Sequence, residues 1–171
     1  MKKPDSIEMT VAGLTLDQVT RTPIVVLKDS ENRLHLPIWI GLLEATAMAT
    51  ELEGVKMSRP MTHDLLKNIL KEVGGDVQFI EITELKDNTY YALITFDLGG
   101  REVAIDSRPS DAIAVALRSK APIYVAKGVL EASSILQQAE EGKAPDFANV
   151  SKEKAREILD KMSPDDFKYK M

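Results

Sequence analysis

Apolar positions along this chain change period several times, and each change marks an element. Ile7, Met9 and Val11 alternate with polar residues, the two-residue period of a strand with one buried face. Pro23-Ile24-Val25-Val26-Leu27 and Leu34-His35-Leu36-Pro37-Ile38-Trp39-Ile40 flank the turn-like Asp29-Ser30-Glu31-Asn32, which predicts two further strands joined as a hairpin. Pro37 has no N–H to give a ladder, so the third strand is expected at a sheet edge or a bulge. Trp39 is expected in the core. From Gly41 the spacing turns helical through Leu42, Leu43, Ala45, Met48, Ala49 and Leu52, and ends near Gly54. A second helix from Thr62 carries Leu65, Leu66, Ile69, Leu70 and Val73 on one stripe, the mark of an amphipathic helix, and Gly74-Gly75 ends it.

Val77 to Leu85 and Thr89 to Leu98 read as strands about Lys86-Asp87-Asn88, and Gly99-Gly100 turns the chain into Arg101 to Asp106. A three-stranded meander follows. The next helix carries Ala112, Ile113, Val115, Ala116 and Leu117, and Ala121-Pro122 leads into a short buried strand, Ile123-Tyr124-Val125, which makes the sheet mixed. Beyond Lys127 the chain is more polar. It predicts a short helix around Val129 to Ala139, a loop at Gly142-Lys143-Ala144-Pro145, and a helix capped by Ser151 running to about Met162. The fold class is α+β: a mixed, largely antiparallel sheet with packed helices over residues 1–130, and a C-terminal helical tail over 131–171. No repeat period or low-complexity stretch appears.

Composition narrows the chemistry. The 171 residues contain no cysteine, which excludes disulfides, thiolate zinc sites and a cysteine nucleophile. Met1-Lys2-Lys3-Pro4-Asp5 leads into the first alternating segment without an apolar stretch, so neither a signal peptide nor a membrane span is expected, and the cytoplasm is the expected location. A net charge of −5, from 22 basic and 27 acidic residues dispersed along the chain, disfavours tight nonspecific binding of duplex nucleic acid. Local arginines can still hold one or two phosphates. Phosphate loops, dinucleotide fingerprints, nucleophile elbows and His-Glu-x-x-His are absent.

Two stretches concentrate what chemistry remains: Arg59-Pro60-Met61-Thr62-His63-Asp64 and Asp106-Ser107-Arg108-Pro109-Ser110-Asp111. Each sets an arginine, a proline, a hydroxyl and a carboxylate where a helix begins, and a helix start offers free N–H groups and partial positive charge to an anion. The same composition also serves capping, with Thr62 and Ser107 or Ser110 as N-caps, Asp64 and Asp111 as first-turn acids and Pro109 as a first-turn proline. Asp106 is equally suited to cap. Metal-assisted phosphodiester cleavage needs oxygen ligands, an acidified water and cations for the phosphate. Asp106, Asp111 and Glu44 are the candidate ligands for Mg²⁺ or Mn²⁺, His63 or Asp64 would manage the attacking water, and Arg59 and Arg108 would face the phosphate. Arg59, Arg108 and Arg118 could each clamp phosphate through a planar fork, and each could equally pair with Asp64, Asp111 or Glu44 as structure.

Leu36-Pro37-Ile38-Trp39-Ile40-Gly41, Glu44-Ala45, Arg59 to Leu66, Tyr90-Tyr91-Ala92, Asp106 to Ala114 and Ala121-Pro122-Ile123-Tyr124-Val125, in that order, resemble the bifunctional nuclease domain family over about residues 6–130. The resemblance implies a compact α+β domain with nuclease activity on DNA and RNA. Some relatives carry a C-terminal motif that joins excision-repair subunits, and Ser163-Pro164-Asp165-Asp166-Phe167 does not match it clearly. Two further readings compete with catalysis: a noncatalytic module binding an anion or a regulatory partner, and a homo-oligomer, a dimer first, paired through edge strands.

Overall fold

The computed structural model describes residues 5–139, with side chains to residue 134. The chain forms β1 (Ser6–Leu16), β2 (Pro23–Asp29), β3 (His35–Trp39), α1 (Leu42–Leu52), α2 (Thr62–Glu72), β4 (Gly75–Lys86), β5 (Thr89–Leu98), β6 (Arg101–Ser107), α3 (Pro109–Ser119), β7 (Ile123–Ala126) and α4 (Lys127–Ala139). The expected boundary at 130/131 falls inside α4; the expected loop at 142–145, the Ser151 helix and the terminal motif lie outside the described residues.

The strands make one seven-stranded sheet in the order β3-β2-β1-β7-β4-β5-β6. Two antiparallel meanders, β1-β2-β3 and β4-β5-β6, are joined by β7, which pairs antiparallel with β1 and parallel with β4. This is the mixed α+β sheet expected. Turn chemistry explains the β4-β5 hairpin: Asp87 and Asn88 both have positive φ, as a two-residue turn matching strand twist requires. Pro37 sits in β3 at the sheet edge, where a missing N–H is tolerated.

One sheet face buries Leu36, Ile38, Ile80, Ile82, Ile94 and Val125 together with Met48, Ile113 and Val115 of the helices. Flat, seven strands would hold the edges about 29 Å apart. Yet Glu44, just past β3, is bonded to Arg108, just past β6. The sheet therefore curls until its two edges approach at that end, as accumulated strand twist allows.

One expectation fails here, and one expected helix lies more open than its apolar stripe would suit. Trp39 is 44% exposed rather than core: alternation along β3 turns Leu36, Ile38 and Ile40 to the core and leaves position 39 on the opposite face, its indole N–H reaching Asp17 Oδ2 at 3.4 Å. The apolar stripe of α2 is also largely outside. Ile69 and Val73 are 53% and 62% exposed, Leu65 and Leu66 are exposed too, and His63 is the buried residue of this helix. α2 is held instead by Leu70 and by polar contacts to α3, among them Lys67 Nζ donating to the Arg118 carbonyl at 2.6 Å.

Candidate functional site

Three helix starts meet where the sheet edges approach. α1 begins after Gly41, α2 after Met61 and α3 after Arg108, each from an extended residue that supplies no side-chain cap. Thr62, Ser107 and Ser110 are thus not the N-caps. Pro109 at the first helical position fixes φ and places the cap at Arg108. In α2 the Asp64 carboxylate reaches back to accept from the Met61 N–H at 2.9 Å.

Arg108 is the hub. Its Nε and Nη2 donate to Asp111 Oδ2 and Oδ1 at 2.7 and 3.1 Å, and its Nη1 meets Glu44 Oε1 at 2.8 Å. His63 Nε2 lies 3.0 Å from Asp111 Oδ1, which brings α2 into the same cluster. The guanidinium is exposed while His63 is buried, so the cluster has a cationic mouth and a polar, enclosed floor. Burial works to raise the Asp111 carboxyl, but its hydrogen bonds from Arg108 and His63 outweigh this and hold it below the ordinary carboxylate value. The Asp111 hydrogen bonds in turn push the Arg108 guanidinium up. A groove of about 400 Å³ opens beside the cluster between the sheet edges, lined by Gly41, Glu44, Asn88, Tyr90, Arg108 and Ser110 among others.

Gly41 has a role the sequence did not signal. A Cβ there would overlap Oε2 of Glu44, so the missing side chain lets that carboxylate fold back over its own helix start and reach Arg108.

Asp64 points elsewhere. Its Oδ1 accepts from Arg118 Nε at 2.6 Å, and Arg118, only 5% exposed, also donates to the carbonyls of Ala114 and Ala47 at 3.2 and 2.9 Å. One guanidinium thus ties α1, α2 and α3 together. Burial tends to raise the Asp64 carboxyl, but the Met61 N–H and Arg118 prevail and lower it. The pair is a structural clasp. Arg59 is exposed in the loop before α2, has no ion pair or hydrogen bond among the described residues, and lines a second groove of about 370 Å³.

The three candidate metal ligands do not gather. Glu44 and Asp111 share Arg108, whereas Asp106 is exposed on β6 and its carboxylate has no hydrogen bond or ion pair among the described residues, so it is not a cap either. No group of three or more His, Cys, Asp or Glu side chains there is placed to hold a metal. Glu44 and Asp111 are bridged by the Arg108 guanidinium, Glu44 on Nη1 and Asp111 on Nε and Nη2, so these two acids already meet a cation. Among the described residues no helix is long and apolar enough to cross a membrane.

An uncharacterised protein of Mycobacterium tuberculosis is 37% identical over 163 residues, spanning 94% of this chain and 98% of its own length. Proteins named bifunctional nuclease 1 from rice (Oryza sativa subsp. indica) and from Arabidopsis thaliana are each 30% identical, over 112 and 109 residues; the match spans 64% and 61% of this chain and 34% of each plant protein. The family model described as the bifunctional nuclease domain matches residues 25–138, a stretch that holds Glu44, His63, Arg108 and Asp111, and on that match the chain belongs to the bifunctional nuclease domain family.

Proposed function

We propose that this protein hydrolyses phosphodiester bonds of DNA and RNA at the Glu44–Arg108–Asp111–His63 cluster. The observation that carries the reading is the convergence on Arg108, within a nuclease family, of two carboxylates and a histidine from three helix starts. Arg108 presents an exposed guanidinium at the positive end of α3, the place for a phosphate oxygen. With the hydrogen on Nε2 of His63 donated in a hydrogen bond to the Asp111 carboxylate, the Nδ1 lone pair would take the proton of an attacking water. Glu44 and Asp111 hold the guanidinium in position and would be the carboxylates to meet Mg²⁺ or Mn²⁺. Bound there, such an ion would offset phosphate charge and acidify water. A dimer is part of this reading, since the exposed stripe of α2 is a surface a second copy would cover; light scattering tests it.

One observation favours the noncatalytic alternative: every charged group of the cluster already has a partner, as in a purely structural network. Cleavage of single-stranded DNA and RNA by wild type, Arg108→Ala and His63→Ala, with and without chelator, separates the readings. Catalysis predicts losses of about 10²–10⁴-fold in both variants with the fold retained. Equal rates in all three proteins would trace the activity to a contaminant and leave the binding module.

A further inference from the structure

The loop from α1 to α2 lines the 370 Å³ groove with Val55, Lys56, Met57, Ser58 and Arg59, and α2 contributes Asn68. All five loop residues are exposed, and Lys56 and Arg59 make no hydrogen bond or ion pair among the described residues. They differ in this from Arg108 and Arg118, whose guanidinium groups are engaged by acids and carbonyls. Arg118 and Asp64 form the groove's floor, each neutralising the other, so the free positive charge of this wall lies on the loop. Glu51 is the one other acid of the lining.

This groove shares no lining residue with the one beside Arg108, and α2 links it to the cluster: Asp64 lines the groove, while the preceding residue, His63, bonds Asp111, the acid that holds Arg108. Cations at 56 and 59 interleave with the exposed apolar side chains of Val55 and Met57. Such a wall suits a chain with regularly spaced anions and flat apolar faces between them.

We propose that the Lys56–Arg59 groove binds the backbone of single-stranded DNA or RNA beyond the phosphate held at Arg108, making Lys56 and Arg59 substrate-binding residues outside the catalytic cluster. The inference rests on the nuclease reading. A single strand fits the site better than a duplex, because a net charge of −5 leaves no broad cationic face for a double helix. With aliphatic rather than aromatic neighbours, the groove is tolerant of base identity.

The test measures anisotropy of a labelled, cleavage-resistant phosphorothioate single strand across a salt series, with the full chain as wild type, Lys56→Gln, Arg59→Gln and the double variant. We expect each single variant to lower the slope of log K against log salt by about 0.7, the double variant to sum them, and its affinity to fall about tenfold. On cleavable oligonucleotide the double variant raises KM more than it lowers kcat, and Arg59→Lys restores KM. Unchanged affinity and slope in the double variant overturn the proposal even if wild type cleaves. So does equal binding of polyglutamate, which would assign the groove to an acidic peptide. Groove-dependent binding without any cleavage upholds this proposal and sinks the nuclease reading instead. Both loop positions are exposed, and the single variants decide the matter if the double variant proves misfolded.

Discussion

α2 and α3 are both eleven-residue helices that start from an uncapped extended residue, carry an aspartate in the first turn and show apolar residues at helical spacing. They meet the rest of the molecule in opposite ways. α3 is buried on most sides, Ile113 entirely, wedged between the sheet, α1 and α2. α2 leans on α3 with its narrower polar side and leaves Ile69 and Val73 mostly in water. An amphipathic stripe records that a face is apolar; whether the same chain covers it depends on which neighbours the topology supplies. α3 is a crossover inside the helix layer, whereas α2 rests chiefly on α3 and part of β4.

The largest effect that probes this contrast is core truncation. Ile113→Ala should cost about 2–5 kcal/mol in urea unfolding, while Ile69→Ala on the open face of α2 stays within about 0.5 kcal/mol at concentrations too low for the proposed dimer. Equal costs would mean that α2 is covered in solution. Next comes the clasp: Asp64→Ala leaves the buried Arg118 charge without its acid, and a cost of about 2–3 kcal/mol is expected, reduced from that of a fully buried pair because Asp64 is partly solvated. Hydrogen exchange should then show α2 opening before α3.

Acid sharpens the same point. Asp64 and Asp111 titrate lower in the folded state than in the unfolded chain, so the unfolded state binds more protons as pH falls. Their contribution is complete above the unfolded value near about pH 4 and is lost as pH drops through the lower folded values. Asp111→Asn should therefore flatten the acid limb of a stability profile and leave its neutral plateau lower. A profile of unchanged shape would deny that the carboxylates bind α2 to α3. The smallest expected change is Gly41→Ala. Its backbone, at φ −73°, accepts alanine, so thermal stability moves little, but the Glu44 carboxylate must shift and its contact with Arg108 is disturbed. The proposed nuclease rate should fall less than in Arg108→Ala, where the phosphate contact itself is gone.

Local rules carried most of the elements. Alternation located the strands, Asp87-Asn88 and Gly99-Gly100 located the turns of the second meander, and the small apolar residues of α3 announced close packing. They misplaced Trp39 and the stripe of α2, because both depend on which neighbours lie across the sheet or helix layer. For the site, the residue types at Glu44, His63, Arg108 and Asp111 were legible, and the three-residue spacing of Arg108 and Asp111 suffices for their pairing on one turn. The meeting of His63 with Asp111 across 48 residues was not, because it needs α2 laid against α3. Asp106 was legible as a residue type, but its exposed carboxylate near the end of β6 has no partner among the described residues. Lys56 went unnoticed because its part depends on the groove and on no motif.

β7 is four residues long, comes after every other strand among the described residues, and occupies the middle of the sheet. During synthesis the two meanders must therefore wait, each with an unfilled edge, until residues 123–126 leave the ribosome and slot between them. A nascent chain halted before Ile123 would have all four residues of the Arg108 cluster translated and no sheet to bring them together. The last short strand thus times the birth of the assembled site, and arrest at successive lengths should reveal a single late gain of protease resistance.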